Sequence, residues 1–185
     1  MKLFNFKKKG FSLVELLVAI SILSIAILAT FTAVQGSFRS NLFAEDQIIA
    51  SYLGQEAIEF VRNIRDENGI KNTKAIESGG TYPWLSGIAQ ISTDPCYPGK
   101  FCTIDSPLKL LASCNSNASS CQVLRFDTNT GLYGYTAGWS ATKYKRSISF
   151  TRISANEVRV NVDVSWQGQG ISKTFSISEI LRDWQ

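Results

Sequence analysis

The chain has 185 residues, 44% of them hydrophobic and 18% charged, a formal net charge of +4 and no histidine. That length leaves room for a membrane segment and one further domain of about 120 residues, enough for a modest core. The lack of histidine removes most general-base, triad and metal constellations. Lys2, Lys7, Lys8 and Lys9 account for the whole +4, so the remaining chain is formally neutral and gives no electrostatic footprint for nucleic acid.

In chain order, residues 1–10 form a short leader whose only charges are these lysines. From Phe11 to Val34 the chain is apolar, with Glu15 its one ionisable side chain and no Gly or Pro. A helix over this run is roughly 36 Å long, which suffices for a hydrocarbon core of about 30 Å. Lysines on one side predict a cytoplasmic N-terminus, a single pass through the inner membrane and export of the rest. A secretory signal fits poorly, because the run is too long, contains Glu15 and lacks a small-x-small site at its end. A plain single-span anchor carrying an extracytoplasmic binding domain is the alternative, with Glu15 snorkelling to the interface. A carboxylate inside an apolar helix costs about 2.5–3.5 kcal/mol on insertion scales, so it usually has a partner.

Lys9-Gly10-Phe11-Ser12-Leu13-Val14-Glu15-Leu16-Leu17 resembles the class III signal of type IV pilins and type II secretion pseudopilins. The resemblance implies cleavage between Gly10 and Phe11 by a prepilin peptidase, N-methylation of Phe11, and pairing of Glu15 with the terminal amine of a neighbouring subunit. It further implies other pilin or pseudopilin subunits and a pilus or secretion assembly platform as partners, and a place in an extracytoplasmic filament. Pilins typically carry a glycine and a proline in the first half of this helix that let it loosen. This chain has Ser and Thr there and no proline, so the resemblance does not carry that loosening over.

Residues 35–68 read as an amphipathic continuation of the helix, with Leu42, Ile49, Leu53, Phe60, Val61 and Ile64 on one face. Gly69 is the expected stop, after a polar end at Asp66-Glu67-Asn68. Tyr52 to Asp66 resembles the helix end of V-type minor pilins and I-type minor pseudopilins. A solvated charged face beside a core stripe accounts for the same residues.

Residues 69–121 are dense in turn formers (Gly79-Gly80, Tyr82-Pro83-Trp84, Asp94-Pro95, Pro98-Gly99, Ser106-Pro107) and read as a loop region. Its aromatics Tyr82, Trp84, Tyr97 and Phe101 are expected to pack under the loop rather than form a binding patch. Cys96, Cys102, Cys114 and Cys121, in an oxidising compartment, read as two disulfides with three possible connectivities. Cys96–Cys102 with Cys114–Cys121 is favoured because each closes a short turn-rich loop; a crossed pairing stays open. A zinc site suits these spacings poorly.

From residue 122 the period becomes two. Val123 to Phe126 and Leu132 to Tyr135 flank Asp127-Thr-Asn-Thr-Gly131, a hairpin-like turn that also resembles a fragment of a calcium loop. Ser147 to Ile153 alternates. Val158, Val160, Val162, Val164 and Trp166 then alternate with polar residues before a turn at 167–170 and a last strand. The run from Val158 through Trp166 to Leu181 and Trp184 again resembles V-type minor pilins.

The expected architecture is α+β and pilin-like: a long N-terminal helix, its first half transmembrane, packed on an antiparallel sheet of about four strands over residues 122–185. The resemblance implies a structural subunit, minor pilin or pseudopilin, with no enzymatic role and no cofactor. A DNA-uptake pseudopilin is the further alternative, distinguished by salt-dependent DNA binding.

Overall fold

A computed structural model describes residues 10–114, 117–168 and 170–183. Two compact units are present, Met1–Glu45 and Asp46–Gln185, and one helix, α1, spans Leu13–Glu77. In the first unit every described residue is exposed. Leucines, isoleucines, valines and phenylalanines point outward all round, with Phe11 at 77% and Ile25 at 68% of full exposure. A helix apolar on every side, with no protein around it, has a nonaqueous environment as its natural solvent. Its length and composition suffice to cross a membrane.

The hydroxyl groups in this stretch are satisfied by the helix itself. Ser21 donates to the Leu17 carbonyl (2.5 Å) and Ser24 to Ile20 (2.8 Å). Thr30 donates to Ile27 (2.8 Å), Thr32 to Ala29 (2.9 Å) and Ser37 to Ala33 (3.1 Å). Such back-bonding removes the cost of bringing a hydroxyl into hydrocarbon.

In the second unit α1 buries Ala50, Leu53, Gly54, Ala57, Ile58 and Val61, then Asn68 and Gly69. The buried seam is therefore centred on small residues, with Ile49, Phe60 and Ile64 half-buried at its flanks. Leu42, expected on this face, is 57% exposed. Gly54 lets the helix approach the last strand: a Cβ there would sit 3.1 Å from Ile177 Cγ2 and 3.2 Å from Phe175 Cε1.

The helix does not stop at Gly69 but continues to Glu77. Gly79 has φ +80°, its N–H donates to the Ile76 carbonyl (3.0 Å), and the Gly80 N–H reaches the Ala75 carbonyl (2.8 Å). This paired closure is the Schellman arrangement, which requires a left-handed residue just past the end. Gly69 lies buried within the helix and does not end it.

The sheet has seven antiparallel strands rather than about four, and it begins at residue 101. They are β1 Phe101–Asp105, β2 Leu110–Ser113, β3 Val123–Phe126, β4 Tyr133–Gly134, β5 Ser140–Ser154, β6 Glu157–Gly168 and β7 Ile171–Arg182. The long β5 is the centre. One of its edges carries β6 and then β7; the other is shared by β1, which leads on to β2, and β3, which leads on to β4. β1 and β2 lie in the turn-dense region expected to be loop. They are too short to show a period, and Pro107 sits in the turn between them, where it costs no ladder hydrogen bond. On β6 the expected alternation is present: Val158, Val160, Val162, Val164 and Trp166 are buried and the residues between them are not. Trp184 lies outside the described residues.

The segment before β1 covers part of the core. Trp84, Leu85, Ile88, Ala89 and Cys96 join the helix and sheet residues in one buried cluster. Asn68 holds this segment, donating from Nδ2 to the Trp84 carbonyl (3.0 Å) and the Ser86 carbonyl (2.9 Å). Of the loop aromatics, Trp84 packs in this cluster as expected, and Tyr82, Tyr97 and Phe101 are half-buried.

Candidate functional site

The Gly10–Phe11 bond precedes the helix. Helical structure starts at Leu13, and the first intrahelical bond runs from the Leu16 N–H to the Ser12 carbonyl (3.1 Å), which makes Ser12 the N-cap residue. Gly10 and Phe11 are exposed, and nothing lies within 4 Å of a Cβ built on Gly10. The backbone at the junction is thus not committed to helical hydrogen bonds. Lys7, Lys8 and Lys9 lie outside the described residues.

Glu15 occupies the first turn of α1, where the positive end of the helix dipole favours a carboxylate. It is exposed and has no ion-pair partner among the described residues. It remains a solitary carboxylate in a helix otherwise apolar to Val34.

In the second unit, three charged clusters fix the helix on the sheet. Arg146 on β5 is fully buried. Its Nη1 donates to the Leu53 carbonyl on α1 (2.9 Å) and to Glu56 Oε2 (2.9 Å), and its Nη2 donates to the Ile104 carbonyl on β1 (2.5 Å). One guanidinium therefore ties three elements. Beside it, the Tyr135 hydroxyl bonds to Thr103, and Asp105 accepts the Tyr135 N–H (3.0 Å). Burial pushes the Tyr135 phenol up, against the lowering effect of the Arg146 charge and the Thr103 hydrogen bond.

Arg62 on α1 grips Glu179 on β7 with both ends of its fork, Nε to Oε1 at 2.8 Å and Nη2 to Oε2 at 2.6 Å. It also pairs with Glu59, and the hydrogen bond to Glu179 is the main cause that raises the Arg62 guanidinium. Asp46 Oδ1 accepts from Lys143 Nζ (2.6 Å) and the Tyr144 hydroxyl (3.0 Å).

Arg146 and Tyr144 are the residues that sequence reasoning missed. They share the even parity of Ile148 and Phe150, which are buried on the same strand; that parity was the available signal. The same parity also carries the exposed Arg152, so a charge at 146 gives no local sign of facing inward.

The cysteines form two disulfides, Cys96–Cys102 and Cys114–Cys121. The first joins the core-covering segment to the start of β1 with both residues fully buried. The second closes the connection between β2 and β3. Closing loops this short is worth about 2.4 kcal/mol each in the chain-entropy picture.

At the 127–131 turn, Asp127 Oδ1 accepts the Asn129 N–H (3.1 Å) and Oδ2 accepts the Thr130 hydroxyl (2.7 Å). The Thr130 bond is the first cause that lowers the Asp127 carboxyl. Its oxygens serve the turn, with Gly131 in a left-handed conformation (φ +72°) closing it, so turn chemistry accounts for the oxygen-rich pattern. Among the described residues no group of three or more Cys, Asp or Glu is placed to hold a metal.

Compared with protein-family models, residues 5–31 match the prokaryotic N-terminal methylation motif, the class III prepilin signal of type IV pilins and pseudopilins. No curated protein and no solved structure matches the chain.

Proposed function

We propose that this chain is the precursor of a structural subunit of a type IV pilus-like filament, cut between Gly10 and Phe11 and N-methylated on Phe11. The supporting observation is the continuity of signal and helix. The methylation motif runs directly into α1, and α1 has no buried residue before Asp46. A helix stretch that is apolar all round and in which every described residue is exposed is suited first to lipid and then to the helices of neighbouring subunits.

The leader holds the precursor with its N-terminus in the cytoplasm until a prepilin peptidase exposes the Phe11 amine. Subunits then pack through their apolar helices. Glu15, solitary in α1, neutralises the terminal amine of a neighbour, because an unpaired carboxylate at low dielectric is penalised and the pair also sets register. The second unit, with its charge-pinned helix and disulfide-closed connections, is the part displayed outside the membrane. The V-type resemblance of 52–66 and of the C-terminal strands favours a minor pilin or pseudopilin.

The test is the N-terminal sequence and intact mass of the protein from membranes or sheared filaments. A start at N-methyl-Phe11, with the mass lowered by the hydrogens of two disulfides, is expected. A start at Met1 in cells with an active prepilin peptidase overturns the reading in favour of an anchored domain. Glu15→Ala is expected to be exported and folded but to enter filaments poorly; normal incorporation removes the assembly role of Glu15.

A further inference from the structure

Arg39 is the one basic residue between Lys9 and Arg62. It is exposed and has no ion-pair partner among the described residues. The helix offers it none, since the positions three and four residues away hold Gln35, Gly36, Leu42 and Phe43. Its neighbours Phe38 and Leu42 are 67% and 57% exposed. This is a cation set among large apolar side chains on a helix face that its own unit leaves uncovered.

The second unit carries the complementary surface. A groove of about 380 Å³ lies between α1 and the turn after β1, lined by Phe60, Ile64, Glu56, Glu59, Glu67 and Lys109, among others. Phe60 and Ile64 are the half-buried apolar residues at the flank of the helix seam. Glu56 meets Arg146 through Oε2 and Glu59 meets Arg62 through Oε1, and Glu67 has no ion pair with any described residue. The groove therefore presents an aromatic ring, an aliphatic side chain and unfilled carboxylate capacity.

We propose that the groove at Phe60, Ile64 and Glu67 receives Arg39, Phe38 and Leu42 of a second copy of this chain. The inference rests on the assembly reading above and names a contact beyond Glu15. Charge complementarity selects the occupant: the lone cation of the first helical stretch meets the unpaired carboxylate of the groove. A planar guanidinium suits both partners, since it binds carboxylates as a fork and stacks on an aromatic face. The two surfaces are different patches of the same chain, so the contact is head-to-tail. Such contacts leave one free patch at each end of a run of copies and extend into an open filament when the rotation does not close.

The test uses the full-length chain in cells that process it, with Leu42→Cys and Asn63→Cys introduced together. The native cysteines form two disulfides and no described cysteine is free, so the new thiols report the contact. Mild oxidation of sheared filaments is expected to give cross-linked dimers or longer ladders. Adding Arg39→Glu, or Glu67→Arg, is expected to cut the cross-linked yield by about tenfold, and combining the two to restore most of it. Monomer alone in filaments whose subunits start at Phe11 overturns the contact and leaves the assembly reading standing. Cross-linking indifferent to the charge reversals also overturns it. Chains that keep Met1 overturn both.

Discussion

Arg146 is a fully buried charge that bonds to both α1 and β1, and its replacement by methionine gives a quantitative test. Methionine keeps the volume and the apolar stem but removes every donor. The Leu53 and Ile104 carbonyls lose bonds from a charged group at 2.9 and 2.5 Å. At about 1.5–3 kcal/mol for each bond to a charged donor, these two alone total about 3–6 kcal/mol. Part is returned. The Leu53 carbonyl lies in the helix interior, and methionine needs no desolvation of charge. Glu56, 36% exposed as a side chain, turns to water, so its share is discounted. The expected loss is about 4 kcal/mol, or roughly 15 °C in Tm for a unit of this size. Urea unfolding of the full-length chain in detergent, followed by tryptophan fluorescence, measures it. Arg146→Lys is expected to recover less than half, because one ammonium cannot serve α1 and β1 together. The reasoning fails if Arg146→Met lies within about 1 kcal/mol of the unaltered protein, as it would if the buried charge cost as much as its bonds return.

Two further predictions concern packing and titration. Gly54→Ala sets a helix-propensity gain of about 1 kcal/mol against contacts near 3.1 Å with Ile177 and Phe175 side chains that can shift, so it is expected within about 1 kcal/mol of neutral. Gly54→Leu forces the helix off β7 and is expected to cost at least about 2 kcal/mol in the same unfolding assay; equal stability of the two variants refutes the close approach. Tyr135 is expected to ionise later than an exposed tyrosine, because burial raises its phenol. A raised pKa in the folded state means stability present below the ordinary phenol range and lost as pH climbs through the raised folded value. Burial raises the Tyr133 phenol as well, so phenolate absorbance should show more than one late-titrating group, of which Tyr135→Phe deletes one; titration of Tyr135 together with the exposed phenols refutes the assignment.

Legibility in the sequence followed the strength of each pattern. The faultless alternation from Val158 to Trp166 gave the β6 faces without ambiguity, since a one-residue slip would have placed every valine in water. Gly69 misled, because a glycine in a helix reads as a stop unless a later glycine pair completes the closing bonds, as Gly79-Gly80 does here. The helix charges read as a solvated face were only partly that: Arg62 and Glu59 are substantially exposed, but Arg62 also reaches across 117 residues of sequence to Glu179. No local pattern announces such a partner. The paired strands β1 and β2, five and four residues long, were likewise hidden, since neither is long enough for a period to emerge above the turn formers around it.

The amino-acid sequence by itself determined what depends on short-range order: the basic leader, the Gly10–Phe11 junction, the apolar helix with its lone Glu15, and the inward and outward faces of the longest alternating strand. Each is a property of neighbouring side chains and backbone period, so nothing distant could change it. Only the tertiary structure decided that Arg146 is the hub between α1, β1 and β5, that Gly54 lies close against β7, and that Asn68 binds the core-covering segment. Those roles arise because folding brings together groups 16 to 123 positions apart, and the cost of burying a charge or an amide is settled by the partners it finds there.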